Sequence, residues 1–409
     1  MSRVTTLANG VQVVSRRMPG VETASVGLFA DCGSRHEPAE LNGLAHLFEH
    51  MVFKGAGGRS ARELSEAIED VGGELNACTD RDGTSFTAAV VGDHVPLAVE
   101  LIASMIERPH FEPAELDREK DVVLQELAEA EDTPSDIIFD ELWSAAFADQ
   151  PLGRPILGSE SSIARIGVDH LHGWRNERYC GSSVILAAAG KVEHEQLVDL
   201  VQQHLSGLPA TAARRGSDAA HFTGGRRVGR TPSEQAQITF AFEGPAELDS
   251  DFYAARLFAD AVGGGASSRL FQELREERGL AYAVSASLHA YSDTGIFYVH
   301  AATARSEAGA AARLMDDILD TTARELSQRE LERMRTRARA GLLMHLETPW
   351  GQASYAARQL AVHGRLVEPE EVFAKLAAVT LEQARAAGAK MLAGPRARAT
   401  IGVRAARAA

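Results

Sequence analysis

The chain has 409 residues, a length that allows two or three domains. Apolar residues make up 45% of it and charged residues 24%, proportions that are ordinary for a folded protein and exclude a disordered or fibrous chain. The net charge of −15 argues against a general nucleic-acid-binding surface. Since no apolar run reaches the length needed to cross a bilayer, no membrane association is expected.

The cysteines and the N-terminus bear on the compartment. Cys32, Cys78 and Cys180 are an odd number and include no CxxC pair, so they do not suggest a disulfide framework. No apolar segment typical of a signal peptide follows Met1. We therefore expect a reducing, cytoplasmic setting.

Strand-like and helix-like segments alternate along the first half. The Asn9-Gly10 pair is typical of a hairpin turn, and the residues after it, 11–14, favour a strand. Further strands are predicted at 24–30, 74–77 and 84–91, and helices at 44–53, 61–71, 95–107 and 113–131. Pro113 stands in the first turn of the last helix, a position that proline favours.

The pattern breaks near the midpoint of the chain. Small and polar residues dominate from Pro209 to Arg227, and strand-like sequence resumes at 237–242. We predict one half at 1–212, a linker at 213–234 and a second half at 235–409. The halves differ in charge: residues 1–210 hold 16 Lys and Arg against 34 Asp and Glu, or −18, whereas the remainder is +3. This difference indicates different roles for the two halves.

Two short segments of the first half have counterparts in the second half, and both counterparts lie the same number of residues further along the chain. This predicts that the halves are a distant repeat. Ala114-Glu115-Leu116 matches Arg329-Glu330-Leu331, and Thr133-Pro134 matches Thr348-Pro349. Between these segments, Glu119 and Glu126 in the first half correspond to Met334 and Gly341 in the second. The two halves are therefore expected to share a fold, while only the first keeps these acidic residues.

The strongest local signal is residues 43–53, GLAHLFEHMVF. His46 and His50 are four residues apart, so on a helix they share one face and can reach one tetrahedral zinc ion. Glu49 precedes the second histidine, as in the inverted H-x-x-E-H arrangement, and is a candidate general base. The alternative is two ordinary helix histidines and a surface glutamate.

With this motif the chain resembles the inverted-zincin metallopeptidase family of pitrilysin and insulin-degrading enzyme. Within it, the chain is most similar to the short-chain branch that includes the mitochondrial processing peptidase. The resemblance implies an α+β fold of two similar halves, each a mostly antiparallel sheet with helices packed on it. It also implies that Glu126, in DVVLQEL at 121–127, is the third zinc ligand and that Glu119, seven residues earlier, supports the site.

The same resemblance implies substrate-binding residues. The stretch 72–79, GGELNACT, is similar to a family strand whose exposed edge pairs with extended peptide, so Asn76 and Ala77 are expected to bind substrate. The segment 263–282 resembles the family's arginine–tyrosine pair. There Arg275 is expected to hold the substrate backbone and Tyr282 to stabilise the oxyanion. A structural arginine and a core tyrosine are the alternative.

Residues 136–140, DIIFD, resemble a segment of the mitochondrial enzyme that receives an arginine near the scissile bond. Asp136 and Asp140 would share a helix face and could pair with one guanidinium group. The alternative is two solvated helix acids.

Together these features predict a zinc endopeptidase that cleaves peptides or unfolded segments, with a preference for basic substrates. Because the family's chamber needs four such halves and this chain supplies two, a homodimer is expected, with a heterodimer as the alternative. The rival interpretation is a non-catalytic scaffold, or a subunit that is active only beside a different partner chain.

Overall fold

The computed structural model describes residues 2–211 and 219–403. The chain forms two compact units, each assembled from three segments. The first unit comprises Met1–Leu127, Pro155–Ser217 and Leu342–Val367; the second comprises Ala128–Arg154, Asp218–Gly341 and Glu368–Ala409.

Thirteen strands lie within the described residues. They are β1 (Arg3–Thr6), β2 (Gln12–Arg17), β3 (Thr23–Ala30), β4 (Gly55–Ala56), β5 (Arg59–Ser60), β6 (Glu74–Thr79), β7 (Thr84–Val91), β8 (Val184–Gly190), β9 (Gly225–Val228), β10 (Gln235–Gly244), β11 (Ala281–Ala290), β12 (Gly295–Ala304) and β13 (Arg396–Ile401).

The same ranges contain fourteen α-helices. They are α1 (Leu44–Val52), α2 (Ala61–Glu69), α3 (Val95–Glu107), α4 (Pro113–Asp132), α5 (Pro134–Ala146), α6 (Glu160–Ile163), α7 (Val168–Arg178), α8 (His194–Leu205), α9 (Phe252–Gly263), α10 (Ala308–Glu325), α11 (Gln328–Leu346), α12 (Pro349–His363), α13 (Pro369–Ala378) and α14 (Leu381–Ala393). None of these helices is long and apolar enough to cross a bilayer.

The two units are built on sheets of matching topology. The first sheet has the order β1-β2-β8-β3-β7-β6 and the second the order β11-β12-β10-β13-β9. Each sheet is antiparallel except for one parallel pair, β2 with β8 in the first and β9 with β13 in the second. Taken from its β9 end, the second sheet has the order β9-β13-β10-β12-β11. This order corresponds strand by strand to β2-β8-β3-β7-β6 of the first sheet, which has β1 in addition. The predicted α+β fold of two similar, mostly antiparallel halves is therefore confirmed.

Helix positions carry the same repeat. Helices α4 and α11 begin at 113 and 328, and α5 and α12 begin at 134 and 349, so both pairs are separated by the same number of residues as the matched segments of the sequence. Proline stands at the first position of α5 and of α12, where its missing N–H costs no hydrogen bond.

The two halves of the sequence exchange one helix each. Helix α12 belongs to the first unit, where its alanines and Leu360 pack on β2 and β8, including Val14 and Ile185. Helix α5 belongs to the second unit, where Ile138 and Leu142 join a core with residues of β10 and β13. The predicted contiguous halves, 1–212 and 235–409, therefore differ from the observed units, because an amphipathic helix packs on whichever apolar sheet face it can cover.

The predicted linker at 213–234 is also partly a structured element. Residues 225–228 form β9, which pairs in parallel with β13. All four residues of β9 are exposed, and two of them are arginines, so the strand lacks the apolar alternation that marks a half-buried strand. Residues 213–218 of the predicted linker lie outside the described residues.

Candidate metal centre

Helix α1 carries the two histidines and is fixed on two sides. Its apolar face, which includes Leu47, Phe48 and Met51, is fully buried in the core of the first unit. At its N-terminus the buried carboxylate of Glu37 accepts hydrogen bonds from the N–H of Gly43 at 2.9 Å and of Ala45 at 2.7 Å. A carboxylate at this end satisfies free N–H groups and complements the helix dipole. The remaining face presents His46 and His50.

The three predicted ligands converge in the first unit. Oε2 of Glu126, on α4, lies 3.8 Å from Nε2 of His46 and 3.6 Å from Nε2 of His50. Among the described residues, these three form the one group of His, Cys, Asp or Glu side chains whose ligand atoms all lie within 4.8 Å of one another. Ligands bound tetrahedrally to zinc stand about 3.3 Å apart, so the donor set fits that ion with small adjustments.

The protonation state of His46 also suits metal binding. Burial, and next the nearby His50, lower the pKa of His46 to about 4. Its imidazole is therefore neutral at pH 7, which is the form that binds a metal ion. Two imidazoles and one carboxylate are a donor set that suits zinc.

Glu49 lies next to this group and is oriented by a threonine. The hydroxyl of Thr79, at the end of β6, donates to Oε2 of Glu49 over 2.5 Å. Burial raises the pKa of Glu49, while the hydrogen bond from Thr79 opposes that effect. Glu49 is thus a partly buried carboxylate in a fixed orientation, which is what a general base requires.

Glu119 connects one ligand to a lysine. Its Oε2 accepts from Nδ1 of His50 at 3.0 Å, and its Oε1 lies 2.7 Å from Nζ of Lys54. The carboxylate is almost fully buried, with 7% of its side chain exposed. Since the carboxylate of Glu119 accepts from Nδ1 of His50, the neutral ring has its lone pair on Nε2, the atom that faces Glu126.

Asn76 and Ala77 lie on β6, which is the last strand of the first sheet and pairs only with β7 among the described strands. Oδ1 of Asn76 accepts from the N–H of Ala77 at 2.8 Å, so this amide is held by a side chain. An edge strand leaves backbone groups available for pairing with another extended chain. Strand β6 also carries Thr79, whose hydroxyl bonds to Glu49, so the strand with the free edge is in direct contact with Glu49.

The remaining predicted residues lie in the second unit. The guanidinium of Arg275 lies 5.4 Å from the ring centre of Tyr282, and Tyr282 is 76% exposed, which excludes the alternative of a core tyrosine. Asp136 and Asp140 lie one turn apart on α5, Asp136 exposed and Asp140 half-buried. The zinc-ligand group, Glu49 and Glu119 belong to the first unit, whereas these four residues belong to the second.

Comparison with known proteins identifies the family. A model described as "Insulinase (Peptidase family M16)" matches residues 12–160, and one described as "Peptidase M16 inactive domain" matches residues 165–338. An uncharacterized zinc protease of Rickettsia bellii is 33% identical over 370 residues, which are 90% of each chain. The chain belongs to peptidase family M16. Uncharacterized zinc proteases of Mycobacterium tuberculosis (34% identical, 95% of this chain and 90% of that one) and Bacillus subtilis (31%, 92% of each) are further M16 relatives.

Solved structures show the M16 fold across the whole chain. A crystal structure described as a peptidase M16 inactive domain from Pseudomonas fluorescens has a TM-score of 0.91 at 20% identity, covering 100% of this chain and 99% of that one. A protease from Helicobacter pylori has a TM-score of 0.90 at 19% identity, covering 98% and 99%. The inactive-domain match falls largely on the second half, where Met334 and Gly341 stand at the repeat positions of Glu119 and Glu126.

Two further residues contact the site and are not predicted by the sequence, Thr79 and Lys54. Thr79 stands in the GGELNACT stretch, but nothing in the sequence shows that its hydroxyl reaches Glu49. Lys54 lies four residues after His50, which on a helix would place both on one side, and this spacing was the available signal.

Proposed function

We propose that this M16 protein is a zinc endopeptidase that cleaves peptides or unfolded segments. The convergence of His46, His50 and Glu126 beside the oriented carboxylate of Glu49 carries the proposal. The names of the M16 relatives, which call them zinc proteases, support it.

His46, His50 and Glu126 would hold the metal, and Glu119 would fix the ring of His50. Zinc held there supplies Lewis-acid chemistry, polarising the scissile carbonyl and making water nucleophilic near neutral pH. Glu49 accepts the proton of the attacking water and returns it to the leaving amine. The hydrogen bond from the Thr79 hydroxyl would hold the Glu49 carboxylate in one orientation during the proton transfer.

We assign substrate binding first to β6. An extended peptide pairing with this edge would use backbone hydrogen bonds, which are independent of sequence, near Asn76 and Ala77. The contact between Thr79 and Glu49 ties this strand to the catalytic carboxylate. A peptide held on β6 would therefore be held in a fixed register relative to Glu49.

We further assign contacts with the substrate to the second unit. Arg275 would hold the substrate backbone, and Tyr282, with its exposed hydroxyl-bearing ring, would stabilise the oxyanion. Because the chain holds both the zinc ligands and this pair, it would act as a homodimer with two complete sites and enclose its substrates in a chamber. A preference for arginine-containing substrates would come from Asp136 and Asp140.

The test is peptide hydrolysis by the purified chain alone, with and without a zinc chelator. We expect cleavage that the chelator abolishes and that zinc restores. Glu49→Gln should retain one zinc per chain and lose at least about a hundredfold in kcat, since it removes the proton acceptor and no ligand. Glu126→Gln should lose zinc, whereas Glu129→Gln, an exposed glutamate on the same helix, should keep both zinc and activity.

Two outcomes would contradict the proposal. Cleavage that resists the chelator or survives in Glu49→Gln would exclude this zinc site as the catalytic centre. Zinc binding without cleavage of any peptide would favour the rival interpretation, a scaffold or a subunit that needs a different partner chain.

A further inference from the structure

Lys54 emerges at the end of the helix that carries the two histidine ligands. Helix α1 ends at Val52, and the N–H of Lys54 still bonds to the carbonyl of Met51 at 3.1 Å. Lys54 therefore follows His50 by about one helical turn, and both side chains reach the same carboxylate. Its side chain is 31% exposed, so the ammonium group is partly withdrawn from water.

The two oxygens of Glu119 have separate partners. Oε1 lies 2.7 Å from the ammonium of Lys54, and Oε2 accepts from Nδ1 of His50. With both oxygens occupied, the carboxylate has one orientation in which each bond is satisfied. Without Lys54, a nearly buried carboxylate would keep one hydrogen bond and would gain by turning toward water.

The other histidine has no equivalent support. Nδ1 of His46 is buried and makes no hydrogen bond within the part of the chain that the structure describes. The orientation of the two histidine ligands therefore depends on His50, because Glu119 sets the tautomer and the orientation of that ring. Glu119 and the ligand Glu126 also share α4, so a contact between Lys54 and Glu119 fixes α1 against the helix of the third ligand.

We propose that Lys54 is a positioning residue for the metal site: it holds Glu119 in the orientation that directs Nε2 of His50 toward the zinc position. This inference rests on the proposed zinc function. It assigns Lys54 no contact with substrate and no transfer of a proton.

The sign of the effect on zinc affinity separates this role from a simple charge effect. A lysine ammonium near a divalent cation repels it, so removal of the charge alone would tighten zinc binding. Loss of the positioning contact would instead weaken binding, because His50 would no longer be held in its binding orientation. Changes in the hydrogen bonds behind a ligand typically cost 10- to 100-fold in metal affinity.

The experiment measures zinc affinity by competition with a chromogenic chelator, which requires no activity. We expect Lys54→Met to weaken zinc binding by about tenfold or more. Lys54→Arg retains a cationic donor and should stay within about threefold of the wild type. The matched control is Arg59→Met, which removes an equally exposed cation, paired with Glu100 at 2.8 Å in the same unit, and should leave zinc affinity unchanged.

A double-mutant cycle shows whether Lys54 acts through Glu119. In a Glu119→Gln background, Lys54→Met should no longer weaken zinc binding, because the carboxylate that it orients is gone. Thermal unfolding of the metal-free variants checks that each one folds.

Failure of this inference is distinguishable from failure of the proposed function. Unchanged or tighter zinc binding by Lys54→Met, or an equal effect of Lys54→Met with and without Glu119, would overturn the positioning role while the wild type still bound zinc. A wild-type chain that bound no zinc would overturn the proposed function itself.

Discussion

The hydroxyl of Thr79 donates to the carboxylate of Glu49 over 2.5 Å, and this contact joins an edge strand to a helix that precedes it in the chain. Strand β6 offers backbone groups to an extended peptide, and helix α1 carries the proposed base and two proposed ligands. The hydrogen bond thus links the element that would bind substrate to the group that would move a proton.

Replacement of Thr79 should slow the reaction without weakening substrate binding. Thr79→Val keeps the shape of the side chain and removes the donor, so Glu49 would lose its fixed orientation. We expect kcat to fall about tenfold to a hundredfold with KM within about twofold, because the contact acts on proton transfer. Steady-state kinetics on a chelator-sensitive peptide measure both constants.

Thr79→Ser is the matched control for this prediction. Serine keeps the hydroxyl and should retain most of the activity, and zinc content should be unchanged in both variants. Equal kcat values for Thr79→Val and the wild type would show that Glu49 needs no support from β6.

Removal of one backbone donor from β6 should impair peptide binding. The N–H of Ala77 bonds to the Asn76 side chain in the structure and would be exchanged to a substrate carbonyl when a peptide pairs with this edge. Ala77→Pro deletes this N–H, and proline is tolerated on an edge strand. We expect KM to rise about tenfold because the peptide loses a backbone partner, with zinc affinity unchanged. Ala77→Ser, which keeps the N–H, should behave as the wild type; an equal KM in the proline variant would argue against pairing of substrate with this edge.

Neutralising Asp136 and Asp140 should reduce a preference for arginine. We expect the double variant Asp136→Asn/Asp140→Asn to lower the ratio of kcat/KM for an arginine-containing peptide over its glutamine counterpart by about tenfold, or ~1.4 kcal/mol. Glu332→Gln, an exposed acid on α11 in the same unit, should leave the ratio unchanged. An unaltered ratio in the double variant would assign specificity to other residues.

His300 should make the stability of the second unit depend on pH. Its ring is buried, Nε2 lies 2.7 Å from Oε1 of Gln237, and burial lowers its pKa from 6.5 to about 4. Between these values the unfolded chain binds the proton more readily, so this stability is present above about pH 6.5 and is lost as the pH falls toward 4. Between pH 7 and pH 5 the loss in the free energy of unfolding is about 2 kcal/mol.

The test compares urea unfolding of the wild type and His300→Gln at pH 7 and pH 5. Fluorescence of Trp143, whose ring lies 5.7 Å from that of Tyr298, reports on the second unit once Trp174 and Trp350 are replaced by phenylalanine. His300→Gln should remove about 2 kcal/mol of the pH dependence. The same pH dependence in His300→Gln and the wild type would contradict the prediction.

Local pattern was enough to predict the elements around the proposed metal site. The spacing of His46 and His50 among buried apolar residues predicts α1, and β3, β7 and α3 lie within one residue of their predicted bounds. These elements depend on periodicity within a short window, which the sequence displays directly. Glu126, by contrast, was a candidate ligand through family resemblance, since it lies on a different helix, far from His50 along the chain.

Contacts between distant segments could not be predicted in this way. Lys54 and Glu119 are far apart in the sequence, and each alone is an ordinary charged residue near a helix. The sequence does not predict strand β9, because its exposed arginines are equally typical of a linker, although charged side chains are a common way to protect an edge strand. The apolar faces of α5 and α12 indicate that each helix packs against other residues on one side. They do not indicate which of the two sheets it packs against.

The exchange of α5 and α12 has a consequence for dissecting the molecule. A polypeptide that ended near residue 212 would lack α12 and would leave Val14, Ile185 and their neighbours on β2 and β8 uncovered, while its own α5 would have no sheet to cover. We therefore expect that neither of the fragments 1–212 and 219–409 folds on its own, although each holds every strand of one sheet. Two fragments cut between 212 and 219 and produced in one cell should instead complement each other, since each brings the helix that the other lacks.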